Sequence, residues 1–175
     1  AGQPEDIDVT RAPQQRRTSA TTDDLPALQE LHRALCLAER ASGYDADADP
    51  SFAASASGRT YLSARIQGDG LALVARDGAN VTVGFLLAGV RSGPRGRVSG
   101  LESMFVVPAA RRRGVGTALL EQFLAWHRSS GLPSASLAVA PANRAAIALY
   151  RKAGFAGTTL VMERGSSADA RDPET

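Results

Sequence analysis

Apolar residues recur along this chain with two different periods, and the change of period separates helices from strands. Between Thr21 and Gly43, Leu25, Leu28, Leu31 and Leu35 lie three or four residues apart, which is the spacing of an amphipathic helix. Thr21 is a suitable cap, and Asp23 and Asp24 suit the positive first turn of such a helix. The pattern therefore predicts a helix over this stretch, followed by a looser helix over residues 51–66.

Short apolar runs in the middle of the chain predict β-strands. LALVAR (71–76) and VTVGFLLAGV (81–90) flank the turn sequence DGAN, which is typical of a hairpin. VSGLESMFVV (98–107) predicts a third strand that stops at Pro108. The predicted elements that follow are a helix ending at Gly131, a short strand at 134–140, a helix at 143–153 and a last strand at 155–164. This order predicts a mixed α/β sandwich in which a helical crossover joins neighbouring strands.

Length and composition set the class of protein. A chain of 175 residues suits one domain, and the polar segments 1–15 and 165–175 predict disordered tails around a domain at 16–164. A net charge of +2 is too small to indicate a nucleic-acid partner, and a single cysteine, Cys36, excludes an internal disulfide. The sequence contains neither a membrane-spanning run nor the apolar core of a signal peptide, so a soluble, cytoplasmic protein without a membrane partner is expected.

The segment RRRGVGTALL (111–120) combines three arginines, two glycines and the start of an apolar helix. Glycine lets a ligand approach the backbone, and the N–H groups and dipole of a helix N-terminus favour an anion such as a phosphate. The other interpretation is a surface turn with solvated arginines, and these ten residues alone leave both open. A dinucleotide-binding loop would need a third glycine near Leu119, and a P-loop would need a lysine, so those two sites fit worse.

Two separated blocks of the sequence carry a recognisable pattern. The first, LESMFVVPAARRRGVG (101–116), is a strand ending at Pro108, followed by Arg111, Gly114 and Gly116 at characteristic spacing. The second, NRAAIALYRKAGF, begins at Asn143. In this order the blocks resemble the GNAT superfamily of acyl-CoA-dependent N-acetyltransferases, and the resemblance covers roughly residues 16–164. It implies an α/β (α+β) fold whose central sheet is mixed and mostly antiparallel, with helices on both faces and splayed central strands.

The resemblance implies that acetyl-CoA is the cosubstrate. Backbone N–H groups from Arg112 to Thr117 would hold its pyrophosphate, and the splayed strand edge at Met104 to Val106 would bond its pantetheine arm together with Asn143. The implied cofactor-binding residues are Met104, Phe105, Val106, Arg111, Arg112, Arg113, Gly114, Val115, Gly116, Thr117 and Asn143. Without the resemblance, Asn143 is simply a helix cap after Pro141.

Two catalytic groups are implied on the coenzyme side. Tyr150, two helical turns after Asn143, would be the general acid that protonates the departing thiolate. The N–H group of Phe105 or Val106 would polarise the acyl oxygen. The alternative for Tyr150 is a half-buried aromatic side chain.

Glu102 is the predicted catalytic base. The stretch LESMFV resembles the glutamate-containing strand of polyamine and related small-amine acetyltransferases, where that glutamate removes the proton of the amine, often through water. Strict alternation places Glu102 and Met104 on one face of the strand. The opposite face takes Leu101, Ser103 and Phe105. The alternative for Glu102 is a structural ion pair.

These features predict direct transfer of an acetyl group to a primary amine of a small molecule, such as a polyamine, an amino acid derivative or an aminoglycoside-like compound. Two alternatives remain: a protein N-terminal or lysine acetyltransferase, and a non-catalytic CoA-binding sensor. Asp45, Asp47 and Asp49 lie in a loop that often borders the acceptor site in this superfamily, where they either attract a cationic amine or form a solvated acidic loop. No metal is expected, His32 and His127 lack metal-ligand spacing, and a homodimer stays open because paired subunits are common among relatives.

Overall fold

The computed structural model describes residues 16–45, 47–68, 70–93 and 96–160. The α-helices in this part of the chain are α1 (Leu25–Ser42), α2 (Ala56–Gln67), α3 (Val115–Ser130) and α4 (Arg144–Lys152). The strands are β1 (Arg16–Ser19), β2 (Leu71–Arg76), β3 (Thr82–Gly93), β4 (Gly96–Val106) and β5 (Ala135–Leu137). Short 3-10 turns are found at Thr22–Asp24, Phe52–Ala54 and Pro108–Ala110. No helix among the described residues has the length and apolar character of a membrane span.

The strands form one five-stranded sheet in the order β1-β2-β3-β4-β5. Neighbouring strands are antiparallel, except that β5 runs parallel to β4 because α3 carries the chain back between them. The β3 and β4 ladder extends from Gly84 opposite Val106 to the hairpin end. The β4 and β5 ladder covers only Ser99 to Leu101. β4 and β5 therefore part after three residue pairs.

Helices cover both faces of the sheet and create two apolar cores. Leucines of α1 and α2 pack on the face that carries Val74, Phe85 and Phe105. α3 and α4 pack on the face that carries Leu86 and Leu101. Phe85 and Leu86 are adjacent in β3 yet enter different cores, since successive side chains of a strand point to opposite faces. The predicted sandwich, with a mostly antiparallel sheet and splayed central strands, is confirmed.

Most predicted elements agree with the structure. α1 ends where Gly43 adopts φ of 70°, a left-handed conformation that glycine tolerates best. The hairpin of β2 and β3, the strand that stops before Pro108 and the two later helices are also present. The looser helix predicted at 51–66 is divided into a 3-10 turn and α2.

Two strands differ from the prediction. β1 is absent from it because Arg16–Ser19 is polar and has no apolar alternation, yet it pairs with β2 as an edge strand. The predicted last strand is wrong over residues 155–160, which are irregular and mostly exposed. A strand needs a neighbouring backbone to bond, and β5 offers only three residues. Residues 161–164 and the two predicted tails lie outside the described residues.

Gly58 allows α2 to pack closely against the 3-10 turn that precedes it. A Cβ atom added at Gly58 would lie 1.9 Å from the carbonyl oxygen of Phe52. We predict that Gly58→Ala lowers the free energy of unfolding by roughly 2–4 kcal/mol, although helix propensity alone predicts a gain of about 1 kcal/mol. Chemical denaturation measures this difference. Ser57→Ala, at an exposed position of the same turn, is the control, and a Gly58→Ala protein as stable as the control would contradict the close contact.

Candidate active site

The parting of β4 and β5 leaves main-chain groups of β4 accessible. The parallel register ends with Leu101 opposite Leu137, whereas β4 stays paired with β3 as far as Val106. In the described part of the chain, no strand pairs with the other edge of Met104 to Val106. An extended ligand with amide groups can bond such an edge as an added strand would.

The side chain of Arg111 bonds one main-chain group at the end of this edge. Its Nε atom donates a hydrogen bond to the Val106 carbonyl oxygen at 2.9 Å, and its guanidinium carbon lies 5.6 Å from the centre of the Phe105 ring. The side chain therefore folds back over the end of β4. A ligand that bonds the end of β4 contacts or displaces this cation.

The N-terminus of α3 has the geometry of an anion site. Gly114 precedes the helix, and within the described chain neither a capping side chain nor an acidic residue occupies its first turn. Arg112 and Gly114 have positive φ values of 61° and 78°, and such turns aim successive N–H groups toward one side. The N–H groups of Val115 to Thr117 have no intrahelical acceptor because they lie in the first turn. An anion bound here would also be favoured by the helix dipole.

The two glycines of this loop are required for different reasons. Gly114 adopts a left-handed conformation, which costs energy for any residue with a Cβ atom. Gly116 has an ordinary helical position, and a Cβ atom there would meet Leu149 at 3.5 Å, an ordinary contact distance. The contacts of the protein itself therefore do not require glycine at position 116. Close approach of a ligand to the backbone is a reason that remains.

Tyr150 is a buried residue of α4, with 8% of its surface exposed. Its ring meets Phe155 edge-on, with the ring centres 6.0 Å apart. Burial, and to a smaller extent the phenol of Tyr44, raises the pKa of Tyr150 to about 12. The hydroxyl group therefore keeps its proton at neutral and moderately alkaline pH and acts as a hydrogen-bond donor.

Asn143 caps α4. Its Oδ1 atom accepts a hydrogen bond from the N–H of Ala146 at 3.1 Å, which is the structural role that the sequence left as the alternative. This cap uses only Oδ1, so the Nδ2 hydrogens can still bond a ligand. Asn143 is exposed, whereas Tyr150 is buried. The binding role of Asn143 and the catalytic role of Tyr150 toward a coenzyme stay predictions.

A bulge in β4 turns Glu102 toward α2. The register between β3 and β4 shifts at Leu87 and Ala88, and Glu102 is the residue of β4 without an opposite partner. One extra residue shifts the alternation of side chains. The prediction that Glu102 shares a face with Met104 is therefore wrong. Leu101 and Met104 pack in the core under α3 and α4, and Glu102 bonds side chains of α2 on the opposite face.

The carboxylate of Glu102 is held by two side chains of α2. Arg65 donates from Nε to Oε2 at 2.7 Å and from Nη2 to Oε1 at 2.8 Å. The hydroxyl of Tyr61 donates to Oε2 at 2.8 Å. This is the ion pair that the sequence analysis kept as the alternative for Glu102, and the role of Glu102 as a base stays a prediction. Sequence reasoning missed Tyr61 and Arg65, whose only signal is their spacing of four residues on one helix.

An acidic cleft of about 450 Å³ opens beside the bulge. Its described lining contains five carboxylic acids and no lysine or arginine. The lining residues are His32, Leu35, Cys36, Glu39, Tyr44, Asp45, Asp47, Ala48, Asp49, Phe52, Glu102 and Ser103. The three loop aspartates therefore share one cavity with Glu102, which the sequence left undecided.

Two other titratable groups of the cleft are uncharged at neutral pH. Burial lowers the pKa of His32, whose ring lies 5.9 Å from that of Phe52. Burial and the nearby carboxylates, Glu39 foremost, raise the pKa of the Cys36 thiol. Burial and then Asp45 raise the pKa of Glu39. The contributions of the carboxylates to the shifts of Cys36 and Glu39 agree with a region of negative potential, whereas burial alone causes the shift of His32.

The model of the acetyltransferase (GNAT) family matches residues 28–155. The chain belongs to this family. Members of the family use acetyl-CoA, and the match includes the loop before α3, the splayed strands and α4. No curated protein sequence is significantly similar to this acetyltransferase.

Solved structures with the same fold cover most of this chain. A variant of the BH1408 protein from Bacillus halodurans has a TM-score of 0.70 at 18% identity, covering 86% of this chain and 98% of that chain. The aminoglycoside N-acetyltransferase AAC(6')-Iy, in complex with CoA, has a TM-score of 0.69 at 19% identity, covering 91% of this chain and 99% of that chain. The aminoglycoside 6'-N-acetyltransferase AAC(6')-Ih from Acinetobacter baumannii has a TM-score of 0.65 at 20% identity, with 88% and 99% covered. At these identities the similarity concerns the fold.

The loop glycines provide a test of the anion site. We predict that Gly116→Ala weakens coenzyme A binding by at least about tenfold, or about 1.4 kcal/mol, while stability stays equal or rises by up to about 1 kcal/mol. Gly114→Ala is the matched comparison, and it should lower stability because φ at this position is 78°. Isothermal titration calorimetry and thermal unfolding measure the two properties. Binding of coenzyme A by Gly116→Ala at wild-type affinity would contradict close approach at this residue.

Proposed function

We propose that this acetyltransferase moves an acetyl group directly from acetyl-CoA to a primary amine of a small, polycationic molecule. The observation that carries the proposal is the acidic cleft of about 450 Å³, which opens at Glu102 and Ser103 of β4 beside the parted strands. Its size lies within the range of small-molecule sites, about 300–1,000 Å³. Its carboxylates attract cations, whereas the arginines near α3 attract anions.

The coenzyme is proposed to lie along the gap between β4 and β5. Its pyrophosphate binds the N–H groups at the start of α3, with Arg111, Arg112 and Arg113 adding positive charge. Its pantetheine amides bond the backbone of Met104 to Val106, and the Nδ2 group of Asn143 bonds the same arm. The accessible edge of β4 and the uncapped first turn of α3 support this arrangement.

Tyr150 is proposed to assist departure of the coenzyme thiolate. With its pKa raised to about 12 by burial, the phenol stays protonated and can donate a hydrogen bond to the sulfur as negative charge develops. The strand N–H of Val106 is proposed to stabilise the oxyanion of the tetrahedral intermediate, because Phe105 lies opposite Phe85 in a pair whose main-chain groups bond β3. Both groups act on the coenzyme side of the acyl carbon.

The acceptor amine is proposed to enter from the acidic cleft. A lysine-like amine has a pKa near 10.4, so it arrives as an ammonium ion and must lose a proton before it attacks. The carboxylates of the cleft bind the ammonium, and Glu102 receives its proton, directly or through water. Structural neighbours that are aminoglycoside N-acetyltransferases support a small acceptor with several amino groups.

Release of free thiol from acetyl-CoA tests the proposed function. The amines to compare are neamine, spermidine, butylamine and a lysine-containing peptide. We expect turnover to rise with the number of positive charges on a small amine, because the cleft is acidic. Turnover with the peptide but with none of the three small amines would instead indicate a protein acetyltransferase. Binding of coenzyme A without thiol release for any amine would indicate a sensor.

The loop carboxylates should control the affinity for the acceptor. Replacing Asp45, Asp47 and Asp49 by asparagine is expected to raise KM for a polycationic acceptor about five- to tenfold and to leave KM for acetyl-CoA unchanged. The effect should diminish at high salt, because these aspartates are exposed. Steady-state kinetics at two ionic strengths measure both results. Glu30→Gln, which removes an exposed carboxylate outside the cleft, is the control, and an equal change in that variant would contradict the assignment.

Tyr150→Phe should separate catalysis from coenzyme binding. We predict a loss of about 10²- to 10⁴-fold in kcat, because the leaving thiolate loses its donor, with acetyl-CoA affinity within about threefold of wild type. Because the pKa is raised, deprotonation of Tyr150 should not reduce wild-type activity below about pH 11. Kinetics and calorimetry measure the two effects. Unchanged turnover would remove Tyr150 from its proposed role.

A further inference from the structure

We propose that Arg65 and Tyr61 are positioning residues of the acceptor site, which lock the Glu102 carboxylate so that one lone pair of Oε1 is left to bind the acceptor ammonium. This inference rests on the proposed function and names the atom that holds the substrate. Of the three residues, Glu102 lines the acidic cleft, and the other two hold it from α2.

Counting the bonds of the carboxylate identifies that atom. An ionised carboxylate offers about four lone-pair positions, two on each oxygen. Oε2 accepts from Arg65 Nε and from the hydroxyl of Tyr61, so its positions are filled. Oε1 accepts only from Arg65 Nη2 among the described residues, so one position remains. The remaining position suits one N–H group of an ammonium ion or of a water molecule.

The donors are themselves held in place. Tyr61 and Arg65 lie one turn apart on α2, and the guanidinium carbon of Arg65 is 5.1 Å from the centre of the Tyr61 ring. Burial foremost, and then the bond to Glu102, raises the pKa of Tyr61, so its hydroxyl stays protonated and remains a donor. The planar guanidinium bonds both carboxylate oxygens at once, which fixes the orientation of the carboxylate as well as its position.

Two glycines make the space in which this cluster lies. A Cβ atom at Gly89 would be 2.9 Å from Oε1 of Glu102 and 3.1 Å from the guanidinium carbon of Arg65. A Cβ atom at Gly70 would be 2.8 Å from Cδ of Arg65. Any larger residue at either position would push the side chains of the cluster aside. The sheet is therefore shaped to receive the pair at the edge of the cleft.

The ion pair also determines which carboxylates of the cleft attract a cation over a distance. The guanidinium of Arg65 compensates the charge of Glu102, so the attraction that draws in a cation comes mainly from Glu39 and the loop aspartates. Glu102 then contributes a short, directed hydrogen bond to the acceptor ammonium and little long-range attraction. Removing Arg65 would both free the carboxylate and leave its charge uncompensated. A freed carboxylate is poorly oriented for the reaction, which lowers kcat, and an uncompensated carboxylate attracts the cation more strongly, which lowers KM or leaves it equal.

Double-mutant kinetics test the proposal, with the amine that gives the highest turnover among neamine, spermidine and butylamine as the acceptor. We expect Tyr61→Phe to lower kcat/KM for the amine about five- to twentyfold in the wild-type background and by less than about twofold in Glu102→Gln. KM for acetyl-CoA should stay the same in all four proteins. A purely structural role would instead give the same loss in both backgrounds and would change both substrates.

Arg65 variants supply the second measurement. Arg65→Gln should lower kcat at least about tenfold while KM for a polycationic amine falls or stays equal, and Arg65→Lys should restore part of kcat. Arg59→Gln is the matched control, since Arg59 is an exposed arginine of the same helix that bonds the Ala54 carbonyl oxygen. Equal kcat in Arg65→Gln and Arg59→Gln, or full additivity in the double-mutant cycle, would overturn the proposal.

Calorimetry with spermidine and neamine distinguishes failure of this inference from failure of the proposed function. If wild type binds an amine but releases no thiol, the acetyltransferase function fails, while weaker binding by Tyr61→Phe than by wild type would still support the positioning role. If Tyr61→Phe and wild type bind and turn over the amine equally well, the positioning role fails and the acetyltransferase function stands. If wild type binds neither amine and turns over none, both are overturned.

Discussion

The separation of β4 from β5 is the constraint on which the rest of the site depends. Within the described residues the two strands share three residue pairs and then part, so the backbone of Met104 to Val106 has a partner strand on one side only. Removing main-chain N–H and C=O groups from water without giving them partners costs free energy. Arg111 satisfies one of them, the Val106 carbonyl. A coenzyme with two amides would satisfy the others and complete the sheet.

The bulge at Glu102 directs its carboxylate to the face of the sheet that α1 and α2 cover. Without the extra residue, alternation would turn this carboxylate toward the apolar core in which Met104 packs. With it, the carboxylate reaches Arg65 and Tyr61 and lines the cleft on the face of α1 and α2. In the proposed function, the coenzyme bonds the unpaired edge of the same strand and groups of α3 and α4. One strand would therefore contact the coenzyme through its edge and the acceptor through the face that carries Glu102.

The net charge of the chain is small, but its basic and acidic residues are concentrated in different regions. The chain carries only +2 overall, but three successive arginines precede α3 and five carboxylic acids line the cleft. Anions and cations are therefore attracted to different parts of one small domain. The raised pKa values of Glu39 and Cys36 are consistent with the negative side of this separation.

The sequence by itself determined the elements and the family, because helical and strand periods, caps and the glycine loop depend on residues close to each other in the chain. It predicted α1, the hairpin and the loop before α3, but it failed for β1 and for residues 155–160, where pairing with a distant strand decides. Only the tertiary structure determined the bulge and the contacts of Glu102. Its partners Arg65 and Tyr61 lie 37 and 41 residues away, and no local pattern records which side chains a fold will bring together. For the same reason, only the packing of α1, α2 and β4 in space shows that the loop aspartates line a cleft.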